Sequence, residues 1–156
     1  MNFYNGYTPA ERNKKLRASY KVFPNRSHPC YRGPCGICGN ASAPVEPHTE
    51  DYSEPYRWEP PAEYPVCKRC HGRLHQRFND PFAWAAYKLH LKRGGHGADL
   101  QAGKTAREVK TAALALSRGE SPQLSALRPF DGTGRWWDAL TVDPDSLTAG
   151  WARPRP

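Results

Sequence analysis

The sequence has no apolar run long enough to cross a bilayer, and its opening residues, MNFYNGYTPAERNKK, lack the apolar stretch of a secretory signal. It has no internal repeat. These absences argue against a membrane protein and lead us to expect a cytoplasmic one. Apolar residues are too sparse for a large interior: mean hydropathy is −0.84, and 16 of 156 residues are proline. That combination predicts one loop-rich domain with a modest core, held by something besides apolar burial. A structural metal meets the need, because a closed thiolate site contributes folding free energy directly.

Cysteine is present but cannot be fully paired, since there are five. In a reducing compartment two Cys-x-x-Cys units indicate metal more than disulfide. Cys35, Cys38, Cys67 and Cys70 have the form of a tetrahedral zinc site, with four soft ligands delivered by two tight turns. The 28 residues between the pairs leave room for a functional insert. Cys30 is left over, as a free thiol or one bordering the metal.

Charge is divided unevenly along the chain. Residues 1–35 hold seven Lys/Arg against one acid, residues 36–66 one against six, residues 67–95 seven against one, and residues 96–156 eight against seven. Two basic blocks flanking an acidic centre suit a polyanionic partner gripped on either side of a metal site.

Thr8-Pro9-Ala10-Glu11 is a capping box with proline at the first helical position, predicting a helix to about Ser19. Arg12, Lys14, Lys15 and Arg17 cover much of its surface, in reach of phosphates or simply solvated. Short strands are expected around 44–48 and 64–66, separated by a proline-broken aromatic loop, and a helix from about Lys68 to Phe78. Asp80-Pro81 opens another helix, with Phe82, Ala85, Ala86 and Leu89 on its buried stripe and Gly94-Gly95 as its stop. Thr105–Glu108 reads as a second capping box, and its helix presents Val109, Ala112, Ala113 and Leu116 on one face. Trp136, Trp137, Leu140 and Trp151 are expected to pack back on these helices, with a disordered end. The organisation predicted is a small α+β domain: a basic lead-in over 1–34, a zinc-stapled core over 35–78, a helical extension over 79–150 and a tail over 151–156.

His71 and His75 lie four apart on the predicted helix and so face one side, the arrangement by which a helix supplies two nitrogens to one ion. A finger of strand, loop, strand and helix brings His48 toward the same point. Lys68, Arg69, Arg73 and Arg77 interleave with these ligands, as phosphate contacts or as a solvated outer face.

With CGICG, EDYSEP and CKRCHGRLH in place, residues 35–75 resemble the HNH, or ββα-metal, endonuclease family in its zinc-stapled form. The resemblance covers about a quarter of the chain. It implies metal-dependent phosphodiester hydrolysis in DNA with inversion at phosphorus. His48, His71 and His75 take the metal positions, for an ion such as Mg2+, Mn2+, Ni2+ or a second Zn2+. The family's general-base histidine is here Thr49, whose hydroxyl does not accept a proton at neutral pH as an imidazole does. Three readings stay open: a nuclease with a substitute base from His48, Glu50, Asp51 or Tyr52; a zinc-stapled nucleic-acid-binding domain without chemistry; and a protein-interaction module. A homodimer is left open too.

Overall fold

A computed structural model describes residues 3–130 and 136–140. Its described elements are helix α1 (Pro9–Val22), two 3-10 turns (Pro24–Arg26 and Pro29–Tyr31), strands β1 (Val45–Thr49) and β2 (Glu63–Cys67), helices α2 (Lys68–Gln76) and α3 (Pro81–Lys92), a 3-10 turn (Gly97–Gln101) and helix α4 (Gly103–Ser117). The fold is α+β. The strands pair antiparallel from Val45 opposite Cys67 to Thr49 opposite Glu63, and Cys67 leads directly into α2. One cluster of buried side chains runs from Tyr4 through the four cysteines, Val66, Leu74 and Trp84 to Val109 and Trp137. No described helix is long and apolar enough to cross a membrane.

The Thr8 box forms in both directions: Thr8 Oγ1 accepts from Glu11 N and the Glu11 carboxylate accepts from Thr8 N. The helix passes Ser19 and stops only at Phe23, because Pro24 has no amide hydrogen to continue it. Nor is it simply a solvated basic rod. Lys15 is 3% exposed, and its ammonium donates to Thr49 Oγ1 at 3.0 Å, to the Asp51 carbonyl at 2.9 Å and to Glu63 Oε1 at 3.1 Å. All three hydrogens are used, so this lysine anchors α1 to the strands.

Asp80 caps α3 as expected, accepting from Ala83 N, but the buried stripe differs. Trp84, Ala86, Tyr87, His90 and Leu91 are buried, while Phe82 is exposed. The helix packs against both α2 and α4, so its covered face turns away from the stripe that apolar spacing alone picked out. Thr105 is not a cap; α4 already begins at Gly103. The reciprocal cap lies at His96 and Asp99, opening the preceding 3-10 turn. Val109 and Ala112 are buried on α4, with Ala113 and Leu116 against the core. Trp137 is fully buried. Trp136, however, stacks on Tyr64 of β2, ring centroids 4.2 Å apart, and donates to the Gly36 carbonyl at 3.0 Å, so it covers the strands rather than the helices. Trp151 and the tail lie outside the described residues.

Candidate metal centre

Two tight turns deliver the four thiols. In the first, Gly39 N donates to the Cys35 carbonyl at 2.9 Å, and Gly39 has φ +76°, a left-handed conformation that glycine adopts without a Cβ clash. Ile37 N and Cys67 N point at Cys35 Sγ at 3.5 and 3.3 Å, as amides do around a metal-bound sulfur. Cys38 Sγ and Cys67 Sγ are 4.0 Å apart; ligands at ~2.3 Å around a tetrahedral ion sit ~3.8 Å from one another. Tyr87 OH is 3.0 Å from Cys70 Sγ. The 3-10 turn closes over the group: a Cβ on Gly97 would meet Arg69 Cβ at 2.6 Å and Cys67 Sγ at 3.4 Å. Burial pushes the Cys70 thiol up while sulfur hydrogen bonding from Cys38 pulls Cys35 down, so four sulfurs packed this closely ionise together only around a cation. Cys35, Cys38, Cys67 and Cys70 form a group able to hold a metal ion such as zinc.

The second group is His48, His71 and His75, one ring nitrogen of each lying within 4.8 Å of the others. Hydrogen bonds assign the tautomers. His71 Nδ1 lies 2.6 Å from Glu46 Oε1; a carboxylate only accepts, so Nδ1 donates and Nε2 keeps its lone pair. That Nε2 meets His75 Nε2 at 3.0 Å, near the ~3.3 Å separating two nitrogen ligands of a tetrahedral ion. His48 Nε2 lies 2.7 Å from Glu50 Oε1, which leaves Nδ1 as its ligand atom. Carboxylate partners of this kind orient metal-binding imidazoles and raise their basicity. Burial brings the pKa of His75 to about 2, so that ring is neutral and ready to ligate at ordinary pH, and burial lowers the pKa of His48 in the same direction.

That depression has a measurable consequence. Between pH 7.5 and 6 each ordinary imidazole, titrating near ~6.5, would cost about four-fold in metal affinity through proton competition. A His75 pKa of about 2 takes that ring out of the competition, and burial reduces the share of His48. Calorimetric titration with Ni2+ should show a loss well short of the ~50-fold of three ordinary histidines; a full 50-fold loss would mean that the two rings are solvated.

Glu50 is itself braced. Burial pushes its carboxyl up, yet hydrogen bonding from His48 and the Arg77 charge hold it at about 2. Arg77 is 1% exposed; it pairs with Glu50 Oε2 at 3.0 Å and donates to Tyr4 OH at 2.7 Å, while Tyr4 OH donates to Glu50 Oε1. The expectation that Arg77 reaches a phosphate therefore fails, because its guanidinium is spent inside the protein. Arg77→Ala should lower the unfolding free energy by ~3–5 kcal/mol, the cost of leaving a buried carboxylate unpaired, whereas Lys68→Ala should leave it within ~0.5 kcal/mol; urea melts of both variants check this.

Lys68, Arg69 and Arg73 do not surround the histidines either. They line a separate groove of about 690 Å3 beside Ala98 and Gln101. At 3.6 residues per turn, Arg69 and Arg73 lie about 120° and about 160° around α2 from His75, which turns them away from the histidines. The histidines instead open into a cleft of about 670 Å3 walled by α1 and the following turns, whose cations are Arg12, Lys15 and Arg26.

The residues considered as a base are all engaged. Thr49 Oγ1 accepts from Lys15 and from Asp51 N at 3.1 Å and sits within 2.9 Å of the Asp51 and Ala62 carbonyls. Asp51 Oδ1 accepts from Tyr7 OH at 2.5 Å and from Ser53. The Tyr52 hydroxyl is pushed up by burial, and its ring lies under the Arg12 guanidinium. Sequence reasoning missed Glu46 as a partner of the histidines, yet a signal was there: Glu46, His48 and Glu50 alternate along β1 and just past it, so they share one face, with Thr49 on the other.

A third cluster, His28, Cys30 and Glu63, is built for a different cation. Cys30 N donates to His28 Nδ1 at 3.0 Å, so the His28 proton resides on Nε2, which lies 2.6 Å from Glu63 Oε2 in poor alignment and has no lone pair for a metal. The positive charge on Glu63 is the Lys15 ammonium. Burial pushes the Cys30 thiol up to about 12, which makes it inert. Compared with known proteins, the chain matches no family model, no curated protein and no solved structure.

Proposed function

We propose that this protein is a metal-dependent endonuclease of HNH type, hydrolysing phosphodiester bonds in DNA at His48, His71 and His75. The observation that carries the reading is the convergence of three imidazoles, two of them fixed in tautomer by Glu46 and Glu50, at the wall of a cleft that Arg12 and Arg26 also border. A staple alone has no use for them. A divalent ion bound there supplies Lewis acidity toward a phosphate oxygen and lowers the pKa of a coordinated water. The chain's own residues hold the ligand set rigid through Arg77 and Tyr4, and Arg12 adds positive charge in the cleft where the phosphate sits.

One observation favours a second reading, nucleic-acid binding without hydrolysis: Thr49, Glu50, Asp51 and Tyr52 are all committed to protein partners. The two readings separate in one experiment, metal content by mass spectrometry on protein purified without added metal, followed by DNA cleavage in Mg2+, Mn2+, Co2+ or Ni2+. The nuclease reading expects one tightly held zinc and cleavage on adding a second ion. One zinc and no cleavage with any ion would leave the binding reading.

A further inference from the structure

The cleft that leads to the three histidines has a shape and a lining that the metal site does not require. Its volume of about 670 Å3 is that of a pocket taking one ligand-sized body, ~300–1,000 Å3, and the histidines lie in its wall rather than on a protruding ridge. Duplex DNA is engaged by elements that project into its grooves; a recess between α1 and the finger admits one strand.

The lining also has two features of a single-strand platform. Tyr20, in the last turn of α1, borders the cleft and is 60% exposed. No described contact explains an aromatic ring in that position. At the far side Arg26 lies over the Tyr31 ring, 4.0 Å from its centroid, and both border the same cleft. Cations that follow a backbone, alternating with rings on which bases stack, are the recurring means of holding single strands.

From this juxtaposition we infer that the strand presented to the metal centre is single-stranded DNA, with an unpaired base stacked on Tyr20 and its phosphates drawn by Arg12 and Arg26. The inference rests on the nuclease reading for the location of the reacting phosphate, but binding tests it separately. Fluorescence anisotropy with an end-labelled single-stranded oligonucleotide and its duplex, on the full chain without added divalent ion, should show the single strand bound at least ten-fold more tightly. Tyr20→Ala should weaken single-strand binding about five-fold or more, while Tyr20→Phe, which keeps the stacking face, should bind as the wild type does. Tyr20 is exposed, so both variants should retain zinc and thermal stability. Equal or tighter binding of the duplex, or a Tyr20→Ala protein that binds the single strand as tightly as the wild type, would overturn the inference and leave the nuclease reading standing. Failure to bind either form at low salt would overturn both.

Discussion

Cys67→Ser should unfold this protein. Cys67 caps α2, its amide points at Cys35 Sγ at 3.3 Å, and its own sulfur lies 4.0 Å from Cys38. It thus joins the first turn, β2 and the helix that carries His71 and His75. Structural zinc sites contribute ~10–16 kcal/mol of apparent binding free energy, as much as the entire net stability of an ordinary domain, ~5–15 kcal/mol. A chain with such a polar composition has little apolar burial to replace that. The expected outcome is loss of zinc by mass spectrometry, loss of the near-ultraviolet circular dichroism of the buried tryptophans, and no cooperative thermal transition. Cys30→Ala is the control. Its thiol is buried but outside the four-cysteine group, so the cost should stay near ~1 kcal/mol with zinc retained. A stable, metal-free Cys67→Ser protein would refute the staple.

His75→Ala should do the opposite: it should abolish cleavage and leave zinc and fold in place. The ring is half-buried, facing Tyr4 at a centroid distance of 4.3 Å, so removing it costs ~1–2 kcal/mol of packing. The loss at the proposed second ion is far larger. Electrostatic stabilisation by a bound ion is worth several kcal/mol, so cleavage should fall on the order of 10³-fold or more, and calorimetry should no longer detect binding of the second ion. If His75→Ala instead loses zinc and unfolds, His75 belongs to the structural framework. Glu50→Gln tests the same site from behind: metal affinity should drop ~10–100-fold with the three imidazoles still present.

The thiolate framework and the helical histidine pair were legible in the sequence because their geometry is local. A Cys-x-x-Cys turn brings two sulfurs together within four residues, and a His-x-x-x-His on a helix puts both rings on one side by the pitch of the backbone. Caps at Thr8 and Asp80 were legible for the same reason. The helical stripe of α3 was not, since spacing marks an apolar side but cannot say that α2 and α4 will cover two sides at once. Thr105 misled because α4 already opens at Gly103, which puts Thr105 inside the helix, and the reciprocal cap at His96 and Asp99 belongs to the 3-10 turn before it.

The charged residues divided differently. Lys15 and Arg77 look alike in sequence to any solvated cation near a metal motif. Their roles come from contacts made 34 and 27 residues away, at Thr49 and Glu50. So the sequence by itself determined the ligand types, their pairing into turns and the face of the helix they share, because backbone period sets those. Only the tertiary structure decided which cations are buried as braces and which line the cleft, because the desolvation and pairing of a charge depend on what packs against it.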